Sequence, residues 1–132
     1  MSIQYTIKAT VTTESESGCV RLFHGTHSSH VGSLVQGIEF TKGGDGYFWA
    51  TPDHWNAWRH AEMAEQQMMF ADLPPGRQAI LAFDLPTKVL DMFQGQEPEP
   101  WLVVYLHGYR FSQACSEVLH SEIRNVEITF EQ

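Results

Sequence analysis

The stretch CVRLFHGTHSSHVGSLVQGIEF, residues 19–40, decides the predicted fold. Its first part, Cys19 to His24, is mostly apolar and predicts a strand whose polar end meets a glycine. The residues after it predict a short helix, which Ser28 or Ser29 can cap and Gly37 can end. The apolar residues that share one face of this helix are Val31, Leu34 and Val35. A strand that leads through a His-Gly step into a helix is therefore the first structural unit.

Alternating apolar and β-branched residues predict further strands on both sides of this unit. They lie at residues 5–12, 47–51, 78–84, 88–92, 116–120 and 126–130. Asp53 is a good N-cap for a second helix, which runs to about Phe70. The apolar run 101–106 fits a strand or a buried helix, because periodicity does not separate the two. We expect residues 1–132 to form one α+β domain, with helices early and strands dominating the second half.

The charge of the chain narrows the choice of partners. Its 132 residues carry a formal net charge of −8. Such a surface repels phosphate backbones at long range, so tight non-specific binding of nucleic acid is disfavoured. A local basic spot can still bind one dinucleotide, and the acidic surface favours a basic partner.

The cysteines and the N-terminal residues give an expectation for the cellular compartment of the protein. The two cysteines, Cys19 and Cys115, are too few for a disulfide scaffold, and no C-x-x-C metal spacing is present. The first residues, MSIQYTIKATV, do not match a secretory signal, and no apolar run approaches the roughly 20 residues that span a bilayer. The expectation is a cytoplasmic protein, or one exported without a cleaved signal peptide.

Four short motifs follow one another in a definite order. They are FHGT at 23–26, QGI at 36–38, GDGYFWAT at 44–51 and SEV at 116–118. In this order the sequence resembles the ADP-ribosyltransferase superfamily. Within it, the resemblance is to the His–aromatic–Glu branch, which holds the diphtheria-toxin-like toxins and the poly(ADP-ribose) polymerases. The resemblance covers residues 22–91 and, near the end, Glu117.

This resemblance implies a fold and an activity. The fold is α+β, with split, mostly antiparallel β-sheets and flanking helices around an NAD cleft. The activity is cleavage of the nicotinamide–ribose bond of NAD, the substrate, and transfer of ADP-ribose to an acceptor, as in small bacterial toxins and effectors. His24 and Glu117 are the implied catalytic pair. The implied NAD-binding residues are His24, Gly25, Thr26, Phe48 and Trp49.

The chemistry of this reaction suits the residue types. Breaking the bond makes a ribose cation similar to the oxocarbenium ion of glycoside hydrolysis. A carboxylate on a rigid strand, as predicted for Glu117, stabilises that charge and can orient or deprotonate the nucleophile. His24 can hydrogen-bond a ribose hydroxyl, and Gly25 lets the backbone meet the nicotinamide amide closely. We therefore expect His24 and Glu117 on adjacent central strands, with their side chains opening into one pocket.

The aromatic positions depart from the family pattern. Family members place a tyrosine after G-x-G and a small residue. Counting from the glycines puts Phe48 there, counting back from the second helix puts Trp49 there, and Tyr47 lies one position early. Because strand neighbours face opposite sides, only one of Phe48 and Trp49 can line a nicotinamide slot. Either ring remains a candidate, and a bulge after the glycines would reconcile the two counts.

Two further positions differ from related enzymes. The second aromatic of the family falls near Arg59 or His60, and the flat ring of His60 can substitute for it. Arginine-modifying members carry Gln or Glu two residues before the catalytic glutamate, whereas this chain has Cys115 before Glu117. The sequence therefore does not resemble an arginine-specific enzyme.

Other readings of the same residues stay open. His24, His27 and His30 are spaced by threes, but they need not converge and no H-E-x-x-H pattern is present, so we expect no metal. The chain can also be an NAD glycohydrolase, with water as the acceptor, or an inactive binding module with the same fold. A protein acceptor is favoured over nucleic acid by the acidic charge, and an immunity or antitoxin protein is a further expected partner.

Overall fold

Strands and helices alternate along the chain in the computed structural model, which describes residues 3–35, 48–70, 77–94, 109–111 and 116–131. The strands in these ranges are β1 (Tyr5–Ile7), β2 (Cys19–His27), β3 (Phe48–Ala50), β4 (Gln78–Pro86), β5 (Tyr109–Phe111) and β6 (Arg124–Phe130). The helices in these ranges are α1 (Ser28–Val35), α2 (His54–Phe70), α3 (Thr87–Gln94) and α4 (Ser116–Glu122). This mixture is compatible with the predicted α+β class.

The described strands form two sheets. The larger sheet has the order β1-β6-β4-β2, in which β1 runs parallel to β6 and the other neighbours are antiparallel. The smaller sheet pairs β3 with β5 in antiparallel fashion. An isolated antiparallel bridge between Phe23 and Thr51 joins the β2 edge of the larger sheet to the end of β3. The two sheets therefore meet beside β2.

The two faces of the larger sheet pack against different partners. On one face, Leu22 of β2 is buried in a core with Phe48 and Phe111 of the smaller sheet. On the other face, Phe23 is buried against Ala57 of α2. Because strand neighbours point to opposite faces, Leu22 and Phe23 belong to different cores.

Helix α2 begins at its predicted cap. Asp53 Oδ1 accepts the backbone N–H of Trp55 at 3.0 Å, and Oδ2 accepts the side-chain amide of Asn56 at 3.2 Å. The first of these bonds satisfies a backbone donor that the first helical turn leaves unpaired, and the second holds the Asn56 side chain on the cap. The N-cap prediction is confirmed, and the helix ends at Phe70 as expected.

The cap of α1 is His27, and the prediction of a serine cap is wrong. The Ser29 N–H donates to His27 Nδ1 at 3.2 Å, and the Ser29 hydroxyl lies 2.8 Å from the same nitrogen. Ser28 Oγ instead accepts the N–H of Arg77 at 3.0 Å. Strand β2 continues three residues past His24 and ends at His27, directly before α1. The His27 imidazole is therefore the side chain in position to accept from the first turn of the helix. Gly37, the predicted stop, lies outside the described residues.

The segment predicted as a strand at 88–92 is a helix. It lies within α3, where the neighbouring residues Val89 and Leu90 are both buried in the same core. Two consecutive residues share one face in a helix but not in a regular strand, which explains the error. The expected strand at 5–12 shortens to β1, and the run 101–106 lies outside the described residues.

A buried charge network connects three strands. Arg21 is 5% exposed, and its guanidinium lies 2.6 Å from Glu127 Oε1 and 3.3 Å from Asp84 Oδ1. The Lys8 ammonium lies 2.5 Å from the other Glu127 oxygen, and Arg21 Nε donates to the Thr12 carbonyl at 2.8 Å. Since Arg21, Asp84 and Glu127 belong to β2, β4 and β6, the network holds these strands and the N-terminal segment together.

Within the described ranges, we find no helix that is both long and apolar enough to cross a membrane.

Candidate functional site

The side chain of His24 lies where the two sheets meet. Its ring stacks on Phe48 of β3, with centroids 4.3 Å apart and planes at 28°. Its Nδ1 lies 2.5 Å from the backbone carbonyl oxygen of Trp49. His24 therefore contacts both the ring of one β3 residue and the backbone of the next.

The contact with Trp49 fixes the tautomer of His24. A carbonyl oxygen can only accept, so Nδ1 carries the proton and donates. In the neutral ring, Nε2 is then an acceptor. Burial, together with the smaller effects of His60 and His30, lowers the pKa of His24 to about 4, although the hydrogen bond to the Trp49 carbonyl raises it. At neutral pH the site therefore presents an uncharged ring with Nε2 ready to accept a hydrogen bond.

The backbone of β2 opens toward the smaller sheet at the same place. Phe23 exchanges both backbone hydrogen bonds with Thr51, at 2.8 and 2.9 Å. Residues two apart in a strand direct their N–H and C=O to the same edge, so those of Gly25 point to this edge as well. The Trp49 carbonyl, two residues before Thr51 in the chain, accepts a hydrogen bond from the His24 ring instead of from a β2 amide. Among the described residues, the backbone pairing of β2 with this segment is thus confined to Phe23 and Thr51, and Gly25 lies on the β2 edge that faces the smaller sheet.

Gly25 also has a packing role that the sequence analysis did not assign. A Cβ at this position would lie 1.8 Å from the Ala57 carbonyl oxygen and 2.7 Å from the Ala61 nitrogen. Contact at such distances with helix backbone is not tolerated, so only glycine allows α2 to lie directly on β2. The Cα of Gly25 faces α2, while its backbone polar groups face the sheet edge.

The two candidate rings of β3 face opposite sides, as expected for a regular strand. Phe48 is 2% exposed and packs near Phe83 and Phe111, with centroids 6.2 and 6.4 Å away. Trp49 is half-buried. Phe48 is therefore a core residue that supports the His24 ring, and Trp49 is the more accessible of the two. Tyr47 lies outside the described residues.

The structure also describes Thr26 and the two α2 residues considered for the second aromatic, Arg59 and His60. Thr26 is 5% exposed and lies two residues beyond His24, on the same face of β2. His60 is half-buried in α2, burial lowers its pKa, and its charge acts on His24. Arg59 is exposed instead. Of the two α2 positions considered for the second aromatic, His60 is the one electrostatically linked to His24.

Glu117 lies in a helix, and the prediction of a late strand at 116–120 is wrong. It belongs to the first turn of α4, so it does not share neighbouring strands with His24. Leu119 is fully buried in the core, Ile123 packs against that core, and the Ile123 N–H donates to the Leu119 carbonyl at 3.0 Å. This i, i+4 apolar pair is a helical signal, but it extends beyond the segment 116–120 from which the strand was predicted. Cys115 lies outside the described residues.

Helix α4 nevertheless packs on the same side of the larger sheet as His24. Leu119 shares a core with Leu22 and Phe48, and His24 lies on the Leu22 face of β2. The helix leads within two residues into β6, which neighbours β4, which in turn neighbours β2. The elements that carry His24 and Glu117 therefore converge on one core.

Two features near this site were not predicted from the sequence. One is the Trp49 carbonyl, which the sequence could not predict because every residue type has a backbone carbonyl. The other is His27, which is 1% exposed; its Nδ1 accepts from Ser29, and its buried Nε2 makes no hydrogen bond within the part of the chain that the structure describes. A histidine directly before two serines, at the end of a strand, is the pattern that could have predicted this cap.

Comparisons with family models, with curated proteins and with solved structures give no match. No group of three or more His, Cys, Asp or Glu side chains within the described ranges is arranged to hold a metal ion.

Proposed function

We propose that this chain is an ADP-ribosyltransferase of the His–aromatic–Glu branch, with the split-sheet fold of that superfamily. It cleaves the nicotinamide–ribose bond of NAD and transfers ADP-ribose to an acceptor. The observation that carries the proposal is the neutral His24 ring held by the Trp49 carbonyl where the two sheets meet.

Recognition of NAD in this proposal uses groups at the sheet edge. Nε2 of His24 accepts a hydrogen bond from a ribose hydroxyl and so orients the sugar. The N–H and C=O of Gly25 are a donor and an acceptor side by side, which is what a planar carboxamide such as that of nicotinamide requires. Trp49 supplies the flat surface for the nicotinamide ring, while Phe48 supports His24 from the core.

Catalysis in this proposal depends on Glu117. Its carboxylate stabilises the positive charge that develops on the ribose and orients the incoming nucleophile. In support, α4 and the His24 side chain lie on the same face of the larger sheet. Placement in the first turn of a helix also suits a carboxylate, because the helix dipole stabilises negative charge there.

The acceptor is proposed to be a protein, and the biological role that of a small bacterial toxin or effector with an immunity or antitoxin partner. The net charge of −8 favours a protein over nucleic acid. The absence of Gln or Glu two residues before Glu117 argues against arginine as the modified residue.

Incubation with NAD labelled in the adenylate part, alone and with a cell lysate, tests the activity. Label on a macromolecule supports the transferase. Release of free ADP-ribose alone identifies a glycohydrolase, and no turnover under either condition identifies an inactive module and contradicts the proposal.

Glu117→Gln tests the role of the carboxylate. Removing the charge while keeping the shape should lower turnover by roughly 100-fold or more, with little change in NAD affinity, because the effect belongs to the transition state. Glu122→Gln, at the other end of α4, removes the same charge and is the matched control. Equal turnover in the two variants would remove Glu117 from the mechanism.

A further inference from the structure

A pocket of about 660 Å³ lies on the α2 side of the larger sheet, the side opposite to the core that contains Phe48. Its α2 wall consists of Trp55, Trp58, Arg59 and Glu62. These positions are three or four residues apart and therefore share one face of the helix. The opposite wall comes from the end of β6 and the start of β4.

The aromatic side chains of the α2 wall are held in place. Trp55 is 69% exposed, yet its ring contacts that of His54, with centroids 4.7 Å apart. Trp58 is half-buried and packs against the core around Phe23. Exposed tryptophan on a fixed helix face is costly in water and typical of a binding surface.

The ionised side chains of the pocket carry a net negative charge. Two carboxylates, those of Glu62 and Glu131, and one guanidinium, that of Arg59, line it, so the three side chains sum to a charge of −1. Thr129 also lines the pocket and is 3% exposed, and its Oγ1 makes no hydrogen bond among the described residues. Gln78 adds a side-chain carbonyl. A ligand rich in N–H donors and positively charged fits this set better than an anion.

Beside the pocket, at the end of β6, the chain already stacks a guanidinium on an aromatic ring that packs against the core containing Phe48. Arg77 lies over Phe130, with Cζ 4.8 Å from the ring centroid. Guanidinium groups stack on aromatic faces and donate several hydrogen bonds in one plane. Trp55 and Trp58 offer larger faces of the same kind beside Glu62.

We propose that this pocket docks an arginine side chain of a basic protein segment. The net charge of −8 attracts such a segment, and the tryptophan faces and carboxylates select its guanidinium. The pocket is separated from His24 by the larger sheet, so it docks a partner and does not take part in the chemistry. The inference does not rest on the proposed NAD activity.

The test is titration of the full chain with a fluorescein-labelled hexa-arginine peptide, followed by anisotropy, with hexa-lysine and hexa-glutamate for comparison. Hexa-arginine should bind more tightly than hexa-lysine, and hexa-glutamate should not bind. Trp55→Ala and Glu62→Gln should each raise the Kd by about 2- to 5-fold. Turnover or binding of NAD should be the same in these variants as in the unmodified chain.

Glu14→Gln is the matched control, because Glu14 is exposed outside the pocket and carries the same charge as Glu62. An equal effect of the two glutamine variants would show general electrostatic attraction and overturn the proposal. Unchanged affinity in Trp55→Ala, or hexa-lysine binding as tightly as hexa-arginine, would overturn it as well. Circular dichroism of each variant confirms that α2 is intact.

Discussion

His24 is the residue whose protonation state follows most directly from its surroundings. Since burial lowers its pKa to about 4, the ring stays neutral from about pH 5 to about pH 8, and NAD affinity should be constant over that range. A solvated histidine would protonate near pH 6.5 and lose the Nε2 acceptor. NMR titration of the ring, with NAD affinity measured at each pH, checks this. A midpoint near 6.5 would contradict it.

Phe48 and Trp49 should respond differently to truncation. Phe48→Ala removes a buried ring and should destabilise the fold by about 3–5 kcal/mol. Trp49→Ala should change the melting temperature little and should weaken NAD by about 1–3 kcal/mol, the cost of losing a stacked ring. Each variant is the control for the other, with melting and NAD affinity measured on both. If only Phe48→Ala weakens NAD in the still-folded protein, Trp49 is not the stacking residue.

At the scale of elements, the contact between α2 and β2 depends on one missing methyl group. In Gly25→Ala the new Cβ would meet the Ala57 carbonyl at 1.8 Å, so helix and strand must separate. The free energy of unfolding should fall by at least the roughly 1–3 kcal/mol that ordinary overpacking costs. Gly32→Ala is the control, because nothing lies within 4 Å of its Cβ; an exposed helical alanine should stabilise by about 0.5–1 kcal/mol. Urea unfolding of both variants measures the difference, and equal stability would exclude this contact.

The elements also show how far the sequence could predict the fold. Asp53 predicted the start of α2 because an N-cap acts locally. β4 was predicted from its apolar run and β6 from its alternating apolar residues, both of which are typical of strands. α3 and α4 were missed because segments of seven or eight residues satisfy both periods, and only burial of pairs such as Val89 and Leu90 decides between them. His24 was identifiable by its motif, but its tautomer depends on a carbonyl 25 positions away.

For the molecule as a whole, acid stability should depend on the network around Glu127. Burial raises the pKa of Glu127, but hydrogen bonds from Lys8 and Thr12 and the charge of Arg21 outweigh it and lower the pKa to about 2. A depressed carboxyl pKa stabilises the fold above the unfolded value of 4.5, and this contribution is lost as pH falls toward 2. It amounts to about 3 kcal/mol.

Denaturant unfolding between about pH 6 and pH 2 measures this dependence. Glu127→Gln should flatten the curve below about pH 5, whereas Glu14→Gln, at an exposed site, should leave it unchanged. The lowered pKa of His24 adds a separate loss of stability as pH falls from 6.5 to about 4. In this range the histidine is protonated in the unfolded chain but stays neutral in the folded protein. Identical curves for the two glutamine variants would remove Glu127 as the source.

The parallel pairing of β1 with β6 has a consequence for biosynthesis. Tyr5 pairs with Val126. Strand β1 leaves the ribosome early in translation, but it cannot pair until β6 has been synthesised. Glu127, the partner of Arg21, arrives with the same late strand. A nascent chain that has not yet released Phe130 therefore lacks both a strand of its sheet and the carboxylate for a buried guanidinium. Ribosome-stalled chains ending before Arg124 should be digested by protease, and the contact of His24 with β3 should form only after translation has passed β6.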